Sequence, residues 1–135
     1  MSKISGVSIL GANVTSEETG GRLECFAAPV GLEEVTLTTD EVYANCPITG
    51  QPDFYSLKVR YQTRSKCVES KSFKLYIHTL KDTGIFGEAL ACKIAKDVYE
   101  ATDAWSVTAE LIQKPRGGIS ITSLAEFPAL SNING

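Results

Sequence analysis

One short segment of the chain, ANCPITGQPDFYSL, carries a cysteine and an aspartate seven positions apart, Cys46 and Asp53. A cysteine thiolate is a strong nucleophile near neutral pH, and a neighbouring carboxylate can donate or accept the proton that an addition requires. Pro47 and Pro52 fix their φ angles and Gly50 allows a left-handed turn, so we expect a stiff path between the two side chains. The pattern indicates nucleophilic catalysis, but it is equally typical of an ordinary rigid loop around a small apolar cysteine.

Charged side chains with possible binding roles follow further along the chain. The segment ESKSFK places Glu69, Ser70, Lys71 and Lys74 at a predicted helix start, where ammonium and backbone N–H groups could bind a phosphate. Solvated lysines on an amphipathic helix are the common alternative. Glu88 stands near the start of a second predicted helix, where the helix dipole alone would favour a carboxylate.

Two further features bear on the chemistry. KPRGG puts Lys114 and Arg116 beside two glycines, which could cradle an anion or simply form a turn. His78 is the only histidine, and we expect it on the solvent face of a helix. No catalytic set of the Ser/His/Asp or Cys/His/Asn kind can therefore be assembled.

Length and composition limit the possible classes of function. The chain has 135 residues, about one domain's worth, so we expect a single domain over 1–135 that oligomerisation stabilises. A net charge of −3 argues against nucleic acid as a partner. There is no apolar run long enough to cross a membrane and no signal sequence, so we expect a cytoplasmic protein. Four cysteines without CxxC spacing and one histidine predict neither a zinc site, or any other metal site, nor a disulfide framework.

The hydrophobic pattern predicts strands on both sides of two helices. LEEVTLTT and YSLKVRYQ alternate with period two, WSVTAELI does so again with Trp105 on its apolar face, and PRGGISI leads into a short final strand. Between them, one apolar stripe follows a cap at Ser70, and a second stripe runs from Phe86 to Val98. This order predicts an α+β domain with both helices on one face of an antiparallel sheet. We expect residues 1–30 to form a peripheral arm and residues 124–135 a loose tail.

Three blocks taken together, CPITGQPDF, VESKSFKLY and PRGGISI, resemble a known family. They occur in the order and at roughly the separations seen in the single-domain NADPH-dependent 7-cyano-7-deazaguanine reductases, the nitrile reductases of queuosine biosynthesis. The resemblance runs from about Val35 to Ile121, and the leading GVSILGANVT is also similar. It implies the tunnelling fold, in which subunits of a homo-oligomeric ring form the active sites between them.

The resemblance also implies roles for particular residues. Cys46 would add to the nitrile carbon to give a covalent thioimide, Asp53 would shuttle the proton, and NADPH would then supply two hydrides. The purine-like base would be anchored by Glu88 and also contacted by Glu69 and Ser70. The cofactor phosphates would be bound by three cations: Lys71, Lys74 and Arg116.

The sequence departs from the family pattern at two places. FGE stands where the reductases carry FHE, so Gly87 replaces a histidine, and TLKD stands for SFRN, so Lys81 replaces an arginine. We expect the missing imidazole to leave room for water or ammonia and to impair hydride transfer more than thioimide formation. Two alternatives follow. The first is a paralogue that forms an amidine or removes the C7 substituent without NADPH, and the second is a non-catalytic base-binding or assembly subunit.

Overall fold

A computed structural model describes residues 19–129 of the chain. We label six strands and two helices in chain order, with a short 3₁₀ turn between the helices. They are β1 (Cys25–Ala27), β2 (Glu34–Asn45), β3 (Pro52–Gln62), β4 (Lys66–Val68), α1 (Ser70–Thr79), the 3₁₀ turn (Leu80–Asp82), α2 (Gly87–Thr102), β5 (Ser106–Arg116) and β6 (Ile119–Phe127).

The main sheet is antiparallel, with strand order β2-β3-β5-β6. A separate two-stranded sheet pairs β1 with β4. Both helices share one hydrophobic core with one face of the main sheet. This arrangement confirms the predicted α+β class with its two helices layered on an antiparallel sheet.

The core forms because the strand and helix periods bring apolar side chains to the same side. Alternate residues of β3 and β5 are buried, and so is a stripe of α2 at three- and four-residue spacing. The principal members are Tyr55, Leu57, Val59, Tyr61, Leu90, Ile94, Val98, Val107, Ala109 and Leu111. The burial of these side chains supplies the main driving force for folding.

Three boundary predictions were wrong. Trp105 precedes β5, is 63% exposed and lies under the Arg64 guanidinium, 4.5 Å from ring centre to Cζ. Phe86 is the N-cap residue of α2 and is 53% exposed. The final strand is long, and Leu124 to Phe127 pair with β5, although we expected them in the tail. In each case we placed the boundary where the apolar pattern ends, but the helix or strand begins or ends where its backbone hydrogen bonds do, at a different residue.

The predicted arm is described only in part. Residues 1–18, including GVSILGANVT, and residues 130–135 lie outside the described range. Within the rest of the arm, Cys25 to Ala27 form β1. The single domain remains a prediction. Among the described residues, no helix is long and apolar enough to span a membrane, and no group of potential ligands is arranged to hold a metal ion.

Helix α1 begins with a buried carboxylate. Glu69, not the expected Ser70, is its N-cap: its two side-chain oxygens accept from the N–H groups of Lys71 at 2.6 Å and Ser72 at 2.8 Å. Glu69 is only 3% exposed, whereas Ser70 is exposed. Both carboxylate oxygens thus serve helix donors that would otherwise lack partners.

This cap predicts a stability difference between two neighbouring variants. Glu69→Ala should lower the free energy of unfolding by about 1–2 kcal/mol, because two helix N–H groups lose a charged acceptor. Ser70→Ala is the matched control and should change it by less than about 0.5 kcal/mol, as expected for an exposed side chain. Urea denaturation followed by circular dichroism measures both. An equal or larger loss for Ser70→Ala would return the cap to Ser70.

Candidate active site

The cysteine and the aspartate stand on opposite arms of the hairpin that joins β2 to β3. Cys46 N–H donates to the Gln51 carbonyl at 2.8 Å, and Gly50 N–H donates to the Cys46 carbonyl at 2.8 Å. Gly50 has φ of +73°, a left-handed conformation that favours glycine. Asp53 is the second residue of β3 and pairs with Ala44. The loop is therefore closed by backbone hydrogen bonds at its base, which fits the predicted stiffness.

The segment before α2 is bound to the end of β2. Asn45 N–H donates to the Thr83 carbonyl at 3.0 Å, and the Asn45 carbonyl accepts from Ile85 N–H at 3.0 Å. Together they form a parallel bridge centred on Gly84. The bridge places the first turn of α2 beside the cysteine loop.

Hydrogen bonds to its sulfur activate Cys46. The Thr49 hydroxyl, followed by the backbone N–H groups of Thr49 and Ile48, lowers the pKa of the Cys46 thiol. Partial desolvation and the Asp53 carboxylate act in the opposite direction. A thiol with a lowered pKa on an open loop is the kind of cysteine that reacts as a nucleophile.

Two other cysteines lie in the opposite environment. Burial raises the pKa of the Cys25 thiol, which donates to the Ala101 carbonyl at 3.4 Å. Burial also raises the pKa of Cys67. The fourth cysteine, Cys92, is exposed on α2. The surroundings of Cys46 thus lower its pKa, whereas those of Cys25 and Cys67 raise theirs.

Arg116 orients Asp53. One guanidinium nitrogen of Arg116 lies 2.8 Å from Asp53 Oδ1, and the other donates to the side-chain oxygen of Gln51. The Asp53 side chain is 11% exposed, and that of Arg116 is 46% exposed. The end of β5 therefore fixes the carboxylate on the hairpin, although we had expected Arg116 among the cofactor phosphates.

Glu88 and Phe86 present an open surface at the start of α2. Glu88 is an exposed first-turn residue, and Phe86 exposes its ring two positions earlier. The Phe86 side chain caps none of the first helix N–H groups. An exposed carboxylate can accept hydrogen bonds from a ligand that has N–H donors on its edge.

The tyrosine Tyr55 fills the space beside Gly87. A Cβ atom built on Gly87 would lie 3.0 Å from Tyr55 Cε1 and 3.4 Å from its hydroxyl oxygen. Tyr55 thus borders the position where a side chain at residue 87 would begin, and the expectation that the missing imidazole leaves room for water or ammonia stays a prediction. Any side chain at position 87 would press on the Tyr55 ring.

The remaining predicted residues lie apart from Cys46. Ser70 and Lys74 line a cavity of about 630 Å³ between β2 and α1, and its lining also includes His78 and Phe73. Arg116 is not part of this lining. His78 is exposed on α1, as expected, and lies 2.9 Å from the Lys81 ammonium. The structure thus brings Cys46, Asp53 and Glu88 into one region and separates Arg116 from Lys74.

Sequence reasoning missed three residues of the site: Thr49, Tyr55 and Phe86. Thr49 follows Cys46 within the turn, where a threonine hydroxyl commonly bonds to nearby groups, so local turn chemistry could have identified it. Tyr55 continues the buried alternation of β3, which indicates core and not function. Phe86 belonged to an apolar stripe that predicted burial.

Comparisons with known proteins agree on one family. The family model described as QueF-like protein matches residues 52–130. Two proteins named NADPH-dependent 7-cyano-7-deazaguanine reductase are each 38% identical to this chain. That of Syntrophobacter fumaroxidans aligns over 85% of this chain and 76% of its own. That of Thioalkalivibrio sulfidiphilus aligns over 82% and 88%.

A third relative and a solved structure extend the comparison. The protein of the same name from Neisseria meningitidis serogroup B is 35% identical over 93% of this chain and 83% of its own. The crystal structure of the apo archaeosine synthase QueF-Like superposes with a TM-score of 0.67 at 23% identity, covering 71% of this chain and 94% of that one. This likeness concerns the fold alone, and it confirms the predicted tunnelling fold.

The hydrogen bonds to the Cys46 sulfur predict that removing the Thr49 hydroxyl changes the pKa of Cys46. In Thr49→Ala the pKa of Cys46 should rise, since the largest of the lowering interactions is lost. The thiolate fraction at pH 7 should then fall, by up to about tenfold for each unit of pKa, and the rate of alkylation by iodoacetamide should fall with it. Above both pKa values the two rates should converge. Peptide mass spectrometry of Cys46 across pH measures the profile.

Thr39→Ala is the matched control. The Thr39 hydroxyl accepts from Glu41 N–H at 3.1 Å, just as the Thr49 hydroxyl accepts from Gln51 N–H at 3.2 Å, but no sulfur lies beside it. Its alkylation profile should match that of the unmodified protein. If Thr49→Ala left the profile of Cys46 unmoved, the hydroxyl would have no part in activating the thiol.

Proposed function

The chain belongs to the QueF-like family, and on this basis we propose that it is an NADPH-dependent 7-cyano-7-deazaguanine reductase that works through a covalent Cys46 adduct. The observation that carries the proposal is the Cys46 thiol. It has a lowered pKa and lies on the hairpin loop that leads into the strand bearing Asp53. The substrate is a small planar base that bears a nitrile, and the product bears an aminomethyl group in its place.

The first step is addition of the thiol across the nitrile. The Cys46 sulfur forms a bond to the nitrile carbon, one π bond of the nitrile breaks, and the nitrogen takes a proton. The thiol proton passes to the Asp53 carboxylate and from there to the nitrogen, so the step is balanced without another reactant. Arg116 holds Asp53 through its 2.8 Å ion pair, which positions the carboxylate for this transfer. The resulting thioimide contains a C=N bond, a better hydride acceptor than the nitrile.

The base is recognised at the start of α2. The exposed Glu88 carboxylate accepts hydrogen bonds from the amino and ring N–H groups, and the exposed Phe86 ring offers a flat face for stacking. Glu69 is less suited to this role, because both of its oxygens are already bonded to its own helix. We therefore assign recognition chiefly to Glu88.

The cavity between β2 and α1 suits a phosphate-bearing cofactor. Its volume of about 630 Å³ is in the usual range for ligand sites, and it combines the Lys74 ammonium and the Ser70 hydroxyl with the apolar Phe73 and Leu37. Lys74, together with Lys71 one helical turn earlier, would hold the phosphates of NADPH. The cofactor supplies hydride when it is bound.

The outer face of the main sheet supports assembly into a homo-oligomer. Tyr43, Phe54, Ile112 and Leu124 share this face by register, opposite the helices, and the last three are exposed apolar side chains. Tyr43 and Phe54 pack ring to ring at 5.7 Å. Exposed apolar surface of this kind marks association sites. We assign it to contacts between copies of this chain, with active sites between subunits.

Adduct formation tests the chemistry directly. Protein mixed with 7-cyano-7-deazaguanine and no cofactor should gain the mass of one base on the Cys46 peptide. Cys46→Ala should gain nothing, while the matched control Cys92→Ala should react like the unmodified protein. An adduct on Cys25, Cys67 or Cys92 would overturn the assignment of the nucleophile.

The same mixture with NADPH tests the reaction type. The expected product is the aminomethyl base, with two NADPH oxidised per product, because conversion of a nitrile to an amine takes two hydrides. An amidine, or a base without its C7 group, formed while NADPH stays intact would overturn the reductase in favour of the paralogue. Intact mass and product mass distinguish these outcomes.

Assembly is tested by one change on the apolar face. Leu124→Lys should shift sedimentation toward smaller species, because it places an ammonium in the interface. Glu100→Lys, on the outer surface of α2, is the control for added positive charge and should leave assembly unchanged. A strictly monomeric unmodified protein that still forms the adduct would contradict the shared site.

A further inference from the structure

The Tyr55 hydroxyl has no hydrogen-bond partner in the described part of the chain. It is the one buried side-chain oxygen or nitrogen among these residues that lacks one. Tyr55 itself is 1% exposed, so bulk solvent does not reach the group. A buried hydroxyl without a partner is destabilising, and such a group in a folded protein needs an explanation.

Another tyrosine of β3 shows that the strand itself does not cause this. Tyr61 points to the same face of β3 and is completely buried. Its hydroxyl accepts from Val68 N–H at 3.0 Å. The fold therefore provides a hydrogen-bond partner for the tyrosine hydroxyl at one end of β3. It provides none among the described residues for the tyrosine hydroxyl at the other end, near Asp53.

The unpartnered hydroxyl lies against the site. Its oxygen would be 3.4 Å from a Cβ atom on Gly87, the residue before Glu88. Burial, followed by the charges of Asp53, Glu88 and Cys46, raises the pKa of Tyr55 to about 12. The phenol is therefore protonated at neutral pH and can donate a hydrogen bond.

We propose that Tyr55 contacts the substrate of the proposed reductase, and that its O–H donates a hydrogen bond to the nitrile nitrogen of the bound base. The nitrile is the substrate acceptor that must reach Cys46 and Asp53 for the addition to occur. A small movement of the ring toward the entering base forms the bond, and no ordered protein group has to be displaced from the hydroxyl. Donation to the nitrogen draws electron density away from the nitrile carbon and favours attack by sulfur.

This inference rests on the proposed function, and Tyr55→Phe tests it by removing only the oxygen. The rate of Cys46 adduct formation with 7-cyano-7-deazaguanine should fall about 2- to 10-fold, the range for one lost hydrogen bond. The melting temperature should stay the same or rise, because the fold loses an unsatisfied group. Alkylation of Cys46 by iodoacetamide should keep its rate, since the hydrogen bonds to the sulfur come from Thr49 and Ile48.

Tyr61→Phe is the matched control. It should lower the melting temperature, because Val68 N–H loses its acceptor, and it should leave adduct formation unchanged. Binding of 7-deazaguanine, which has the ring but no nitrile, should be equal in Tyr55→Phe and the unmodified protein.

Two results would overturn the assignment. The first is an unchanged adduct rate in Tyr55→Phe, and a lowered melting temperature alongside it would make the hydroxyl structural. The second is a loss of 7-deazaguanine binding as large as the loss in adduct rate, which would place the acceptor on the ring. An unmodified protein that forms no adduct at all would overturn the proposed function and this inference with it.

Discussion

The two backbone hydrogen bonds of Asn45 hold the site together. Cys46 belongs to the β2–β3 hairpin, and Glu88 belongs to α2, so no local interaction fixes one relative to the other. The Asn45 N–H and carbonyl bind Thr83 and Ile85, both at 3.0 Å, and so fasten the chain entering α2 to the residue next to the cysteine. Backbone bonds of this kind do not depend on side-chain identity, which leaves the neighbouring side chains available for chemistry.

The lowered pKa of Cys46 results from the polar groups around its sulfur. A buried thiol is harder to ionise, as the raised pKa values of Cys25 and Cys67 show. Cys46 lies on a turn whose hydroxyl and N–H groups point at sulfur, and these donors favour the thiolate. The hairpin thus has two functions, since the turn that closes the loop also supplies the donors that activate its cysteine.

The sequence predicted the strands and helices, because these depend on the local spacing of apolar residues. It did not predict contacts between residues that are far apart in the chain. Alternation in β3 and β5 and the apolar stripes of α1 and α2 were sufficient for the α+β class. The ion pair of Arg116 with Asp53 joins residues 63 positions apart, and nothing in KPRGG indicates its partner. Tyr55 and Gly87 are also far apart in the sequence, and the sequence does not predict their contact because it depends on how α2 packs over the sheet. The roles expected of Cys46, Asp53 and Glu88 came from the resemblance and stay predictions, whereas the structure supplies their surroundings.

The glutamates at the starts of the two helices differ in burial and in hydrogen bonding. The N-cap residue of α1 is Glu69, which is buried and whose two side-chain oxygens accept from N–H groups in the first turn of that helix. Helix α2 begins at Phe86, whose side chain caps nothing, and its first-turn Glu88 is exposed. A ligand approaching α1 meets a carboxylate whose two oxygens already accept from helix N–H groups, while one approaching α2 meets an exposed carboxylate. Two glutamates at helix starts therefore differ in what their oxygens can do: those of Glu69 are bonded within the fold, and the exposed carboxylate of Glu88 is open to the recognition role that we propose for it.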